Sequence, residues 1–285
     1  MHELSSEMAP PINEVNINRP PAYRVKAIAL PNEHGSWGML FEPLIAGLVV
    51  AWSPAAPFVA LVFVGTFLTR QPLKVYIADR IAGRVRPHTM PAMKLAAVFS
   101  IIILIGLAGL FLTANGAALW LFVAVIPAGV VPILYDVAGK SRRVVPEIVG
   151  AVVLSSSAAV SVLAAEGSMA GAAALWLVFV CRMVPSLLYV RERLRLEKGK
   201  PFSYLIPVLS HAAALAIVVL LISRGLVSSL LIIVFTVLLT RALSGLSRFR
   251  QRLRAMQIGV LEMIYGLLVV VAVIVGHYAN IQCIT

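Results

Sequence analysis

The sequence predicts an all-α, polytopic membrane bundle of about nine transmembrane helices. Three observations carry that reading. The chain of 285 residues is 60% hydrophobic, with a mean hydropathy of +0.95, a composition that belongs to integral membrane proteins. Apolar runs near the ~17–25 residues needed to cross a bilayer recur along the chain. The connections between them alternate between uncharged and basic, and that alternation sets a topology.

Residues 1–26 are polar, carry Pro10, Pro11, Pro20 and Pro21, and lack the apolar core of a signal peptide. They are expected to form a disordered cytoplasmic tail, which leaves 27–285 as a single transmembrane helical domain. Spans are expected near Gly35–Trp52, Pro54–Gln71, Ala92–Ala114, Ala117–Tyr135, Val144–Ala165, Ala170–Tyr189, Tyr204–Ser223, Ser228–Leu243 and Met256–Tyr278. The first, second and eighth are short. Links after odd-numbered spans (WSPAAP, ANGA, EGSM, RGLV) are tiny and nearly uncharged, and those after even-numbered spans are basic. Of the 24 Lys and Arg, Arg224 alone falls in a tiny link and Arg182 alone within a span away from its ends. The rest lie in the tail, the basic links or the helix ends beside them, which by the positive-inside rule face the cytoplasm and put Thr285 outside.

The net charge of +12 would suggest nucleic acid in a soluble chain. Here it sits in short loops between apolar spans, so no nucleic-acid partner is read. Cys181 and Cys283 give neither a disulfide framework nor a metal-binding pair. There is no P-loop, GxGxxG, HExxH or GxSxG, and His34 and His211 have no spacing that suits a metal or haem.

The longest polar break is Arg70–Thr89, RQPLKVYIADRIAGRVRPHT. The apolar run before it enters without a turn signal, so the second helix is expected to continue past the bilayer, kinked at Pro72 and ending by Gly83. Tyr76, Tyr135 and Tyr189 each fall near the cytoplasmic end of an even-numbered span, where aromatic rings anchor at the interface. YIADRIAGR, YDVAGKSRR and YVRERLRLEKG, all following even spans, are weakly alike.

Topology does not explain the ionisable groups inside the spans. Glu42, Arg182, His211 and Glu262 all fall roughly 9–12 Å from the cytoplasmic interface at 1.5 Å per residue. An Arg at that depth costs at least ~2–3 kcal/mol unless it faces inward and finds a partner, so Arg182 is expected within salt-bridge reach of Glu42 or Glu262. These residues indicate either a structural ion pair or a polar cavity open to the cytoplasm. In NEHGSWGMLFEP, Asn32 is an expected N-cap with Glu33 in the first turn, while Gly35 and Gly38 offer a small-residue packing face. Glu33, His34, Trp37 and Glu42 remain as candidates for a site on that helix.

The strings LPNEHGSWGMLFEPLIAG, RQPLKVYIADRIAGRVRP and CRMVPSLLYVRERLRLEKG resemble the YwiC-like family of bacterial membrane proteins, over most of the chain after residue 26. That resemblance implies the bacterial cytoplasmic membrane and no assigned activity. More distantly, the chain is similar to the UbiA superfamily of intramembrane prenyltransferases. This similarity implies nine helices in a UbiA-like arrangement and a cytoplasm-facing cavity. It also implies two acidic motifs, corresponding here to Lys74–Pro87 and Arg191–Pro201, and a tyrosine-then-basic segment matched by ILYDVAGKSRRVVPEIVG. Only Asp79 remains of the first acidic motif, and in the second Glu192 and Glu197 stand among basic residues. Magnesium is implied only where the family's chemistry is retained, since it wants several oxygen ligands.

Three functions remain open. One is a divergent UbiA-like prenyltransferase or lipid-diphosphate-binding relative. Arg70, Lys74, Arg80, Arg142, Arg143, Arg191 and Arg193 would meet the anion, Tyr135, Tyr189, Arg182 and Glu262 would line the cavity, and Glu42 and Asp79 would be the catalytic carboxylates. Its floor is expected on the first, second, sixth and ninth helices, and its rim on the basic links after the second and sixth, whose like charges call for an anion between them. The second is a transporter of an organic anion or lipid through the intramembrane charges. The third is a non-catalytic accessory protein whose basic face meets anionic membrane lipids.

Overall fold

The computed structural model describes residues 28–30, 34–140 and 143–279. The expected tail, Asn32, Glu33, Arg142, Cys283 and Thr285 lie outside the described residues. Among those described, the chain forms α1 (His34–Val50), α2 (Ala56–Ile81), α3 (Thr89–Thr113), α4 (Gly116–Val137), α5 (Val144–Ala164), α6 (Met169–Glu197), α7 (Leu205–Ser223), α8 (Leu230–Gly245) and α9 (Ala255–Tyr278). Seven of these helices are long and apolar enough to cross a membrane, and α1 and α8 are shorter apolar helices. The protein is an all-helical, polytopic membrane bundle.

Helix ends follow from local chemistry. Asn115 caps α4, its side chain accepting from the Ala118 N–H at 3.0 Å and donating to the Leu163 carbonyl at 2.7 Å, which ties the start of α4 to the end of α5. Ser168 caps α6 through the Gly171 N–H at 3.0 Å. The likeness of the three basic segments has a structural cause. α2, α4 and α6 all run out onto a glycine with positive φ, Gly83, Gly139 and Gly199 at 62°, 68° and 63°. In each, the next N–H returns to the carbonyl five residues back (Arg84 to Asp79, Lys140 to Tyr135, Lys200 to Arg195), the Schellman closure that glycine makes at no steric cost. As expected, α2 runs through Pro72 and stops before Gly83.

Helices α1, α5, α6, α7, α8 and α9 pack as a closed ring, each against the next, with α9 returning to α1. α6 also reaches across to α1, α8 and α9. The α2–α3 hairpin and α4 lie outside, against α5. Burial follows this plan. Within their most apolar stretches α5 and α6 are each 61% buried inside the protein, against 22% for α3 and 11% for α4. Exposed Ile101, Leu104, Phe111, Trp120 and Val123 on α3 and α4 give those helices the apolar outer surface that lipid demands.

Candidate functional site: a buried charge cluster and its cleft

Five helices of the ring send ionisable groups to one place. Glu42 (α1), Arg182 (α6), His211 (α7), Arg241 (α8) and Glu262 (α9) are all buried, with Ser186 of α6 among them. Arg182 Nη2 donates to Glu42 Oε1 at 3.3 Å and to the Glu262 main-chain carbonyl at 2.6 Å. Its Nη1 donates to Ser186 Oγ at 2.5 Å and lies 3.5 Å from Glu262 Oε2. Arg241 Nη1 donates to Glu262 Oε1, and its Nη2 lies 3.3 Å from Ser186 Oγ and 3.1 Å from His211 Nε2. His211 Nδ1 is 2.7 Å from the Pro207 carbonyl. A carbonyl only accepts, so Nδ1 carries the hydrogen and Nε2 accepts from Arg241.

The Arg241 guanidinium sits against the rings of Tyr189 and Tyr265, at 4.4 and 4.9 Å from their centroids, which adds cation–π attraction in a desolvated setting. Two arginines face two glutamates, so the formal charges balance, and such pairing lowers the cost of burying them. Gly266 makes room for it. Any Cβ there would overlap the Glu42 carboxylate, so the acid reaches Arg182 only because α9 presents bare backbone.

The cluster opens onto a cleft of about 300 Å³ between the ends of α6 and α8 and the start of α9. Its inner wall is Tyr189, Arg241, Glu262 and Tyr265, and its outer wall includes Arg193, Arg250 and Gln251. Gln251 and Phe249 are exposed, so the cleft reaches the surface at the basic α8–α9 link. Arg193 is only 2% exposed. Its Nη2 donates to the Gln251 carbonyl and lies 3.0 Å from Glu197 Oε1, which is also 3.5 Å from Arg250 Nε. Arg193 Nε and Nη1 and Arg241 Nε make no hydrogen bond among the described residues. Buried donors of this kind are uncommon and costly in folded proteins.

Residues 30–162 match the family model described as YwiC-like protein. Over that stretch the chain is similar to that family. No curated protein and no solved structure matches it. The YwiC-like stretch holds Glu42 and the α2–α5 region, whereas Arg182, Arg193, Arg241 and Glu262 come from the helices that follow it.

The structure brings Glu42, Arg182, Tyr189, Arg193 and Glu262 to the cluster and its cleft, as a cavity of this kind requires. The other expected contacts are elsewhere. Asp136, 2% exposed in its side chain, holds Arg70 at 2.8 Å and Lys74 at 3.6 Å. Asp79 accepts from Thr89 Oγ1 at 2.5 Å and lies 3.3 Å from His88 and 3.6 Å from Arg86. Arg191 pairs with Glu147 at 3.4 Å. Arg80 donates to Tyr76 Oη at 3.1 Å, Tyr135 is half-buried, and Arg143 is exposed at the start of α5. Trp37 packs against Phe41 and Phe67. His34 opens α1. The cluster is therefore drawn from α1, α6, α7, α8 and α9, and α2 contributes nothing to it. In the basic links Asp136, Asp79, Glu147 and Glu197 each pair with one or more of the cations. Tyr189 is no interface anchor. It is buried against Arg241.

Sequence reasoning missed Arg241 and Asp136. Arg241 falls two residues inside the expected eighth span and is followed by Arg248, Arg250, Arg252 and Arg254, so it reads as part of a basic helix end. Asp136 is a lone acid just before Lys140, Arg142 and Arg143, so its segment reads as a basic link.

Magnesium does not fit this arrangement. No group of three or more His, Cys, Asp or Glu gathers among the described residues, so magnesium would rely on one or two carboxylates together with substrate phosphates. The acids of the two expected motifs are committed: Asp79 as above, Glu192 to the Ser203 N–H at 2.7 Å and Arg195 at 3.4 Å, and Glu197 to two arginines. A hard cation would have to displace those partners.

Proposed function

We propose that this YwiC-like membrane protein binds the anionic head group of an amphiphile, of the lipid-diphosphate class, through the α6–α8–α9 cleft from the cytoplasmic side and without a metal. The observation that supports this most is the pairing of buried, underused arginine donors with an apolar wall in one cleft. Arg193 and Arg241 offer charge-assisted donors to phosphate oxygens. Leu253, Ile258 and Leu261, which also line the cleft, suit a hydrocarbon chain. The cytoplasmic assignment rests on the basic links around the mouth.

Within this reading Tyr189 and Tyr265 hold Arg241 in place, and Glu262 is the carboxylate that meets the bound molecule. Glu42 stands behind it, coupled through Arg182. In a transferase of the intramembrane prenyltransferase type, the arginines beside a leaving diphosphate would stabilise the charge that develops there. A second reading, transport of an organic anion, draws on the same network of ionisable groups across five helices.

The test is equilibrium binding of a prenyl diphosphate to the full chain in nanodiscs, with chelator present. Saturable binding is expected, unchanged by magnesium and weakened roughly tenfold or more by Arg241→Gln, since a hydrogen bond to a charged group contributes ~1.5–3 kcal/mol. Binding that requires magnesium would contradict the metal-free reading. Anion flux into proteoliposomes without retained lipid would favour transport.

A further inference from the structure

Arg193 and Arg250 line the outer part of the cleft, and Glu197 beside them pairs with both, apart from the cluster deeper in. One carboxylate oxygen, Glu197 Oε1, faces both cations, at 3.0 Å from Arg193 Nη2 and 3.5 Å from Arg250 Nε. Proximity here is not hydrogen bonding. Glu197 Oε1 and Arg250 Nε are buried atoms with no aligned hydrogen bond, and Arg193 Nε and Nη1 are in the same condition, among the described residues. One carboxylate offsets only one of the two cations, and donors are left unused. Arg193 is 2% exposed and lines the cleft, and its Nη2 donates to the Gln251 carbonyl. Arg250, whose side chain is 21% exposed, lines the same wall from the α8–α9 link.

A single carboxylate oxygen cannot satisfy two planar forks. A tetrahedral oxyanion with three or more acceptor oxygens can, because each guanidinium meets such a group through two parallel donors. We infer that Arg193 and Arg250 form a phosphate-type oxyanion subsite and that Glu197 is its resident counter-ion, displaced when phosphate enters. No bond is made or broken in this exchange. The Glu197 carboxylate swings away from the two guanidiniums toward the cytoplasmic surface, and the phosphate oxygens take its place. The inference rests on the proposed cleft-binding reading and specifies which cations meet the head group and what they give up. The same chemistry serves a phosphorylated lipid head group and a free phosphate.

The subsite makes an unusual demand: removing an acid should tighten anion binding, and by more than a general charge effect. The experiment measures inorganic diphosphate binding to the full chain in detergent, for the wild type, Glu197→Gln, Arg193→Lys and Arg250→Gln. Glu166→Gln serves as a control that removes one acid from the end of α5, outside the cleft. Glu197→Gln should bind several-fold more tightly than both the wild type and Glu166→Gln. Arg193→Lys keeps the charge but loses the fork, and Arg250→Gln keeps much of the volume. Each should weaken binding roughly tenfold or more. Competition by phosphatidic acid in mixed micelles, or by inorganic phosphate, supports the subsite and names the source of the phosphate. Displacement by neither overturns it. An unchanged or weakened Glu197→Gln, or equal tightening by Glu166→Gln, also overturns it. If prenyl diphosphate still binds the wild type in that event, the cleft reading stands and only the subsite falls. If the wild type binds neither probe, both fall.

Discussion

Arg182→Leu should destabilise the protein by about 3–5 kcal/mol, the range found when one partner of a buried pair is removed. Glu42 is 8% exposed, and its partner across the bundle is Arg182 at 3.3 Å. With leucine there, Glu42 loses its only cation within 4 Å among the described residues. Glu262 is less affected because Arg241 still donates to it. Unfolding by denaturing detergent, followed by tryptophan fluorescence, measures the loss. The double variant Arg182→Leu with Glu42→Leu should recover much of it, since apolar replacement of both partners in a buried pair is often neutral or better. An unchanged Arg182→Leu would mean that Glu42 is satisfied in some other way.

The second large effect comes from a residue with no side chain. Gly266→Ala should cost about 1–3 kcal/mol, the usual range for overpacking, because the added Cβ would overlap the Glu42 carboxylate. The acid would have to leave Arg182 or α9 would have to leave α1. The mechanism separates from a plain helix-packing effect in a double-mutant cycle. In a Glu42→Ala background the same change removes the clash, and with alanine's higher helix propensity it should be neutral or slightly stabilising. If Gly266→Ala costs the same in both backgrounds, the close approach of Glu42 to α9 is not what the glycine serves.

Much of the fold is legible in the sequence because a membrane simplifies the physics. A spanning segment must satisfy its own backbone, so a long apolar run means a helix, and the positions of the basic residues order the links. The expected spans agree with the helices to within a few residues, except where α2 and α6 continue past their apolar stretches. Depth is also legible: Glu42, Arg182, His211 and Glu262 share one distance from the interface in the sequence, and they meet in one cluster. Azimuth is not. Which face of α2 turns inward depends on packing partners, and a span list does not contain them. Arg70 and Lys74 therefore look like anion contacts until Asp136 of α4 is seen between them and the rest of the bundle. Arg241 shows the same gap from the other side. Its position near the end of α8 suits a cytoplasmic fringe, and only the rings of Tyr189 and Tyr265 reveal it as buried.

The most direct test of the central claim, a cytoplasm-facing cleft that takes an anionic amphiphile, is cysteine accessibility at Ser244. This residue lines the cleft and its hydroxyl is 3.3 Å from the Arg241 carbonyl oxygen. In a background with Cys283 replaced by serine and the buried Cys181 retained, Ser244→Cys should react with a charged, membrane-impermeant thiol reagent in inside-out vesicles. It should not react in right-side-out ones, and prenyl diphosphate should slow the labelling. Labelling from the outer face, or a rate that prenyl diphosphate leaves unchanged, would contradict the cleft as the binding site.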